Sequence, residues 1–280
     1  MKIGPLTPYM ETLKMSSVLM YIALGFISIS TYGQNTIGTV FYNTPTAQGY
    51  TLFTVHTQTY LINNCGQVVN EWTSEFPPGN AVYLLEDGDI LRAGNTGSST
   101  IRFGGSGGVV ERYNWEGTLE WQYFYDTDQH RQHHDIYPMP NGNVLILAAT
   151  LITEDEAIAA GRNPDKLKDG FVYNERIIEV RPVGADNAEI VWEWNFMDHI
   201  IQDFDSTKAN YGTVSSNPQL VDFNYTNDEE GEARWLHINS IQYYEEVDQI
   251  ILSSRNLSEI YIIDHSTTTE EAATGTGGLY

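Results

Sequence analysis

From Thr36 onward, short apolar runs alternate with turn residues, and two kinds of strand pair recur. The first kind has a turn followed by an aromatic-rich strand that ends in Trp or Tyr. It occupies residues 60–72, 111–121 and 178–194, and a fourth copy begins at 260–264. The second kind has an acidic or Asn-Gly turn between two apolar strands, at 81–91, 135–147 and 240–252. Asp87-Gly88 and Asn141-Gly142 supply the positive φ angles that tight hairpins require.

The two kinds alternate along the chain. One of each makes four strands in roughly 50 residues, the span of one propeller blade, and Gly88 and Gly142 lie 54 positions apart. A generic sandwich also has short strands, but it does not predict this alternation. The pattern therefore predicts an all-β fold, a β-propeller with about three and a half blades present, where closed propellers have four to eight. The sequence reads as a partial propeller over residues 34–280, truncated on its C-terminal side. Thr153 followed by Glu156 forms a capping box and predicts a short helix before Gly161. Residues 197–232, rich in Asp, Asn and Ser, read as a long surface excursion.

The N-terminus adds a targeting element. Lys14 precedes an apolar run over residues 18–27, and Ser28, Ser30 and Gly33 follow. That order is a secretory signal peptide, assigned to residues 1–33, and the run is too short for a membrane span. The expected location is periplasmic or secreted, without stable membrane insertion; an uncleaved anchor is the alternative. Cys65 is the single cysteine, so no disulfide forms within the chain. The net charge of −23, from 37 acidic against 14 basic residues, repels phosphate backbones and argues against a nucleic-acid partner. Eighteen tyrosines among 12% aromatics suit half-buried pleated surfaces.

Candidate chemistry gathers at two strand starts. His130, His133, His134 and Asp135 precede one strand, and His237 and Asn239 precede its equivalent one blade later. The repeat superposes His133 on His237 and Asp135 on Asn239, and strand alternation points each pair the same way. Arg255 ends the next strand. A guanidinium beside imidazoles suits an anionic sulfuryl or phosphoryl group, with Arg donating paired hydrogen bonds and His⁺ adding charge or moving a proton. Against this, a single His at a strand start is usually a surface or satisfied core residue. A metal site is the main rival, because His130, His133 or His134 with Asp128 or Asp135 offers borderline ligands, though without any zinc spacing. The glycines of residues 104–108 lack a following Lys-Ser/Thr and read as a hairpin loop, not a phosphate cradle.

His133-His134-Asp135, His237-Ile238-Asn239-Ser240 and Ser253-Ser254-Arg255, in this order and spacing, resemble the aryl-sulfate sulfotransferase family. The resemblance covers most of the chain after the signal peptide. It implies a six-bladed propeller with its site on the central axis. It also implies transfer of a sulfuryl group from a phenolic sulfate donor to a phenol acceptor, through a sulfated histidine. No cofactor, metal or nucleotide donor is implied, and a homodimer is left open. Carried over by position, His133 or its neighbour His134, His237 and Arg255 are the catalytic groups that bind and polarise the sulfate, while Asn239 and Asp135 bind substrate. The nucleophilic histidine of the family falls in a later blade, past Tyr280, and His265 at a hairpin turn is too early to replace it. The other readings are a non-catalytic extracellular ligand-binding propeller and a metal-dependent hydrolase on the same scaffold.

Overall fold

The structure is a computed structural model, and it describes residues 43, 46–97, 101–102, 104–226 and 232–274. The signal peptide expected over residues 1–33 lies outside the described residues. The chain divides into two compact units. In the unit of Met1–Thr46 with Cys65–Gln67, Thr46 donates to the Asn43 carbonyl and Cys65 is exposed. The other unit, Ala47–Asn64 with Val68–Tyr280, holds all the described strands.

Those strands form successive antiparallel meanders. β1 (Tyr50–Val55), β2 (Gln58–Asn63) and β3 (Val68–Thr73) make the first sheet; β4 (Pro78–Leu84), β5 (Ile90–Asn95), β6 (Gly108–Tyr113) and β7 (Leu119–Phe124) make the second. The third contains β8 (His130–Pro138), β9 (Val144–Thr153), β10 (Phe171–Val183) and β11 (Asn187–Asn195). A short parallel pair follows, β12 (Ile200–Ile201) with β13 (Val221–Asp222). The fourth meander is β14 (Ile238–Tyr244), β15 (Gln249–Ser254) and β16 (Glu259–Asp264). The fold is all-β, and none of these sheets closes on itself. Both kinds of strand pair occur where the turn residues predict them, with Gly88 at φ 93° and Gly142 at φ 85° in their hairpins.

The sheets bury their faces against one another. Leu61 and Trp72 of the first sheet meet Ile90 and Tyr113 of the second. Leu91 and Val110 of the second meet Ile136, Ile146, Ala148 and Ile178 of the third. Leu145, Leu147 and Ile177, on the opposite face of the third, meet Ile241, Ile250 and Leu252 of the fourth. Alternate residues of β9 thus serve two different cores, which explains its nearly continuous apolar run. Each such side chain contributes about 1.5–3 kcal/mol on burial. The first strands β1, β4, β8 and β14 pack side by side in chain order.

The expected helix is α1 (Glu154–Ala159), with Thr153 accepting from the Glu156 N–H and the Glu156 carboxylate answering the Thr153 N–H. A second capping box, Thr268 with Glu271, starts α2 (Thr269–Ala272). The excursion after β11 departs from its surface reading. Ile200, Ile201 and Phe223 are buried, and the buried Arg162 holds the segment by donating to the Phe223 carbonyl and packing its guanidinium over the Phe223 and Trp235 rings. Among the described residues no helix is long and apolar enough to cross a membrane.

Candidate active site

The site lies where β8 of the third sheet approaches the entry to β14 of the fourth. Nε2 of His134 is 3.3 Å from Nε2 of His237, with ring centroids 4.9 Å apart. The sequence left His133 and His134 as alternatives, and the structure separates them. A bulge between Gln132 and Ile136 breaks the strict alternation expected there. His134 consequently turns to His237, while His133 is fully buried behind it, its Nδ1 3.0 Å from Nδ1 of His134. The expected superposition of His133 on His237 gives way to a pairing of His134 with His237.

Both facing histidines adopt left-handed backbone, φ 52° at His134 and φ 50° at His237. This conformation costs a non-glycine residue about 1–2 kcal/mol, so the surroundings must hold it. At His134 the backbone N–H donates to the Gly105 carbonyl at 2.6 Å. A Cβ at Gly105 would collide with the His134 ring, so the glycine-rich loop serves close approach of backbone to imidazole. Arg131 anchors that loop by donating to the carbonyls of Ile101 and Gly107, both at 2.9 Å. At His237 the carbonyl accepts from the Arg255 N–H at 3.1 Å, and the Ser254 hydroxyl donates to the Leu236 carbonyl at 2.6 Å. The Ser253-Ser254-Arg255 strand end is therefore stitched to the backbone that presents His237.

The charges converge as well. Burial lowers His134 first, and His237, Arg234 and Arg255 lower it further, to about 4. Burial and the same two arginines also lower His237, with Glu232 opposing. Both rings are thus neutral imidazoles at neutral pH, and positive charge at the site comes from Arg255 and Arg234 rather than from the expected His⁺. The Arg255 side chain is exposed, its Nη1 3.4 Å from Oδ1 of Asn256, and Arg234 pairs with Glu232 at 3.2 Å.

The remaining predicted residues lie differently. The Asp135 carboxylate accepts from Tyr83 Oη at 3.1 Å, the Ile136 N–H at 3.0 Å and the Ile241 N–H at 3.0 Å. It ties three sheets together with bonds internal to the protein. Asn239 lies exposed on β14. His130 stacks on Tyr125 with centroids 4.1 Å apart, and among the described residues no three His, Cys, Asp or Glu side chains are arranged to hold a metal ion.

Two residues of the neighbourhood were missed. Arg234 carries no motif of its own. Glu175 had a signal: it is an acid within the mostly apolar β10, fully buried, with its Oε2 3.6 Å from Nε2 of His133.

Among curated proteins none matches the chain significantly. One similar solved structure is a protein of unknown function from Bacteroides caccae, with 10% identity and a TM-score of 0.36. The match covers 79% of this chain and 60% of that one, so the chain spans less than two thirds of its length. A likeness at that score carries no argument. Residues 28–271 match the family model described as Arylsulfotransferase (ASST), and with these residues spanning most of its length the chain belongs to the arylsulfotransferase family.

Proposed function

We propose that this chain carries the anion-binding half of the active site of an exported, periplasmic or secreted aryl-sulfate sulfotransferase built on a β-propeller. The observation that carries this reading is the meeting of His134 and His237 at 3.3 Å beside two arginines, in a protein of net charge −23. Arginines near enough to depress both histidines, in so acidic a protein, favour a small anion over a polyanion. Support for the propeller comes from the successive meanders and from the first strands packed side by side. Support for export comes from Lys14 and the apolar run after it.

In this reading Arg255, the exposed guanidinium, neutralises the sulfuryl oxygens through charge-assisted hydrogen bonds, and Arg234 adds to the positive field. A histidine nitrogen supplied by a segment beyond residue 280 attacks sulfur while the bond from sulfur to the donor's phenolic oxygen breaks. The departing phenolate keeps that electron pair and takes up a proton. The acceptor phenol oxygen then attacks the same sulfur, the nitrogen–sulfur bond breaks, and the acceptor's proton passes to an imidazole. Neutral His134 and His237 suit these proton transfers, since each offers one N–H and one lone pair. Asn239, exposed on β14, is left to bind substrate in this reading.

The test uses the full-length gene product and a sulfate donor carrying radioactive sulfur, without acceptor. Label bound through an acid-labile bond to a histidine is expected, and added phenol should remove it. Acceptor-dependent turnover with no histidine ever labelled would overturn the mechanism. A folded protein with no turnover at all would return the chain to a binding role.

A further inference from the structure

The bulge that turns His134 into the site is repeated one sheet earlier, where it presents an asparagine. In β8, His133, His134 and Asp135 stand opposite Leu147, between the pairs Gln132–Ala148 and Ile136–Ile146. In β4, Gly79, Asn80 and Ala81 stand opposite Ala93, between the pairs Pro78–Gly94 and Val82–Arg92. Each residue of the β4 bulge lies 54 positions before its counterpart in β8, the interval that also separates Gly88 from Gly142. Asn80 therefore takes in β4 the middle place that His134 takes in β8. Its backbone is left-handed too, at φ 80°. Asn tolerates that conformation at lower cost than His does.

The Asn80 side chain lies beside the histidine. A Cβ at Gly105 would collide with the His134 ring and would fall 2.7 Å from Nδ2 of Asn80. The amide and the imidazole thus flank one point over that glycine. The inner strands run in the matching order: Tyr83 of β4 meets Tyr137 of β8 with centroids 5.9 Å apart, and Tyr137 meets Tyr243 of β14 at 6.3 Å. His134 accordingly has His237 on its β14 side and Asn80 on its β4 side. Asn80 is exposed, and its side chain makes no hydrogen bond among the described residues. The amides of Asn141 and Asn143, by contrast, both donate to Glu179. Glycine would supply left-handed backbone without steric cost, so what Asn80 adds is an amide.

We propose that Asn80 is a further substrate-binding residue, whose Nδ2–H donates to a non-bridging oxygen of the sulfuryl group on the side of His134 away from His237. The inference rests on reading His134 and His237 as groups of the sulfuryl-transfer site, and it extends that site from two sheets to three. Arg255 supplies charge, whereas the uncharged, directional amide fixes the orientation of the oxygen it holds. No bond is made or broken at Asn80.

The experiment compares full-length wild type, Asn80→Gly and Asn80→Asp. Both replacements suit φ 80°, so they remove or invert the donor without forcing the backbone. Binding is read by calorimetry with benzylsulfonate, an anion whose carbon–sulfur bond does not permit transfer. Asn80→Gly should weaken it by about 10-fold. Asn80→Asp, which sets a carboxylate against the anion, should weaken it by about 100-fold. The kcat/KM for p-nitrophenyl sulfate should fall in the same order, with the KM of acceptor phenol unchanged within about twofold. Folded variants that bind benzylsulfonate as tightly as wild type, while transfer persists, would overturn the proposal and leave the transferase standing. A smaller loss in Asn80→Asp than in Asn80→Gly would overturn it as well, because a carboxylate cannot donate. Binding lost in the expected order, in a protein that transfers no sulfuryl group, would support Asn80 and sink the transferase.

Discussion

Two histidine clusters join the third and fourth sheets, and they are built in opposite ways. At one, His265 lies between two carboxylates, with Nδ1 2.7 Å from Asp248 and Nε2 3.0 Å from Glu179, and its ring is edge-on to Trp192 at 4.7 Å. Burial works against the His265 charge, but the bonds to Glu179 and Asp248 outweigh it and raise its pKa. Burial likewise disfavours the Glu179 carboxylate, yet bonds from His265, Asn143 and Asn141 hold it at about 2. At the other cluster, burial and arginines leave His134 and His237 uncharged. The difference separates two uses of one residue type. A histidine filled by carboxylates on both nitrogens is a clamp, whereas histidines lowered by burial and by arginines are, in the function proposed above, the place for an anion.

The comparison breaks most visibly under substitution. Arg255→Ala removes an exposed guanidinium, so transfer should fall by at least about 100-fold with unfolding unchanged within about 0.5 kcal/mol. His265→Ala should do the reverse, because it strands the nearly buried Glu179; a loss of about 2–4 kcal/mol is expected, with transfer per folded molecule intact. Urea unfolding and a turnover assay on the same preparations check both.

Changing pH resolves the clamp more finely. His265 is raised above its ordinary 6.5, so its contribution is complete below that value and is lost as pH rises through the folded pKa. Glu179 is depressed from 4.5 to about 2, so its contribution is present above 4.5 and is lost as pH falls toward 2. The clamp should therefore be strongest between 4.5 and 6.5. The stability difference between wild type and His265→Gln should shrink on going to alkaline pH. NMR titration sharpens the contrast within one molecule, with a midpoint near 4 for His134 and above 6.5 for His265. The smallest effect belongs to neither cluster: Thr153→Ala, which removes the α1 cap, should cost about 1 kcal/mol and leave both titrations unmoved.

Much of the strand order was legible because local chemistry decides it. The period-2 apolar runs, the glycine hairpins at Gly88 and Gly142 and the Thr153–Glu156 capping box each act over a few residues. The excursion before β14 was misjudged because Ile200, Ile201 and Phe223 are sparse among polar residues, and only tertiary packing against Arg162 and Trp235 makes them core. The site was legible in its residue types but not in its orientation. Parity assigned His133 to the face of His237, and a bulge that leaves no clear mark in the sequence gave that place to His134. Glu175 stayed hidden because its partners, His133 and the Ile238 N–H, lie 42 and 63 positions away and meet it only when the sheets stack.

The most direct test of the account is sulfuryl transfer from p-nitrophenyl sulfate to phenol by the full-length protein, measured for wild type, His237→Ala and Arg255→Ala. Nitrophenol release that requires phenol, and that both substitutions reduce by at least about 100-fold in folded protein, is the expected result. Release that survives both substitutions, or a folded wild type that releases nothing with any phenol acceptor, would contradict it.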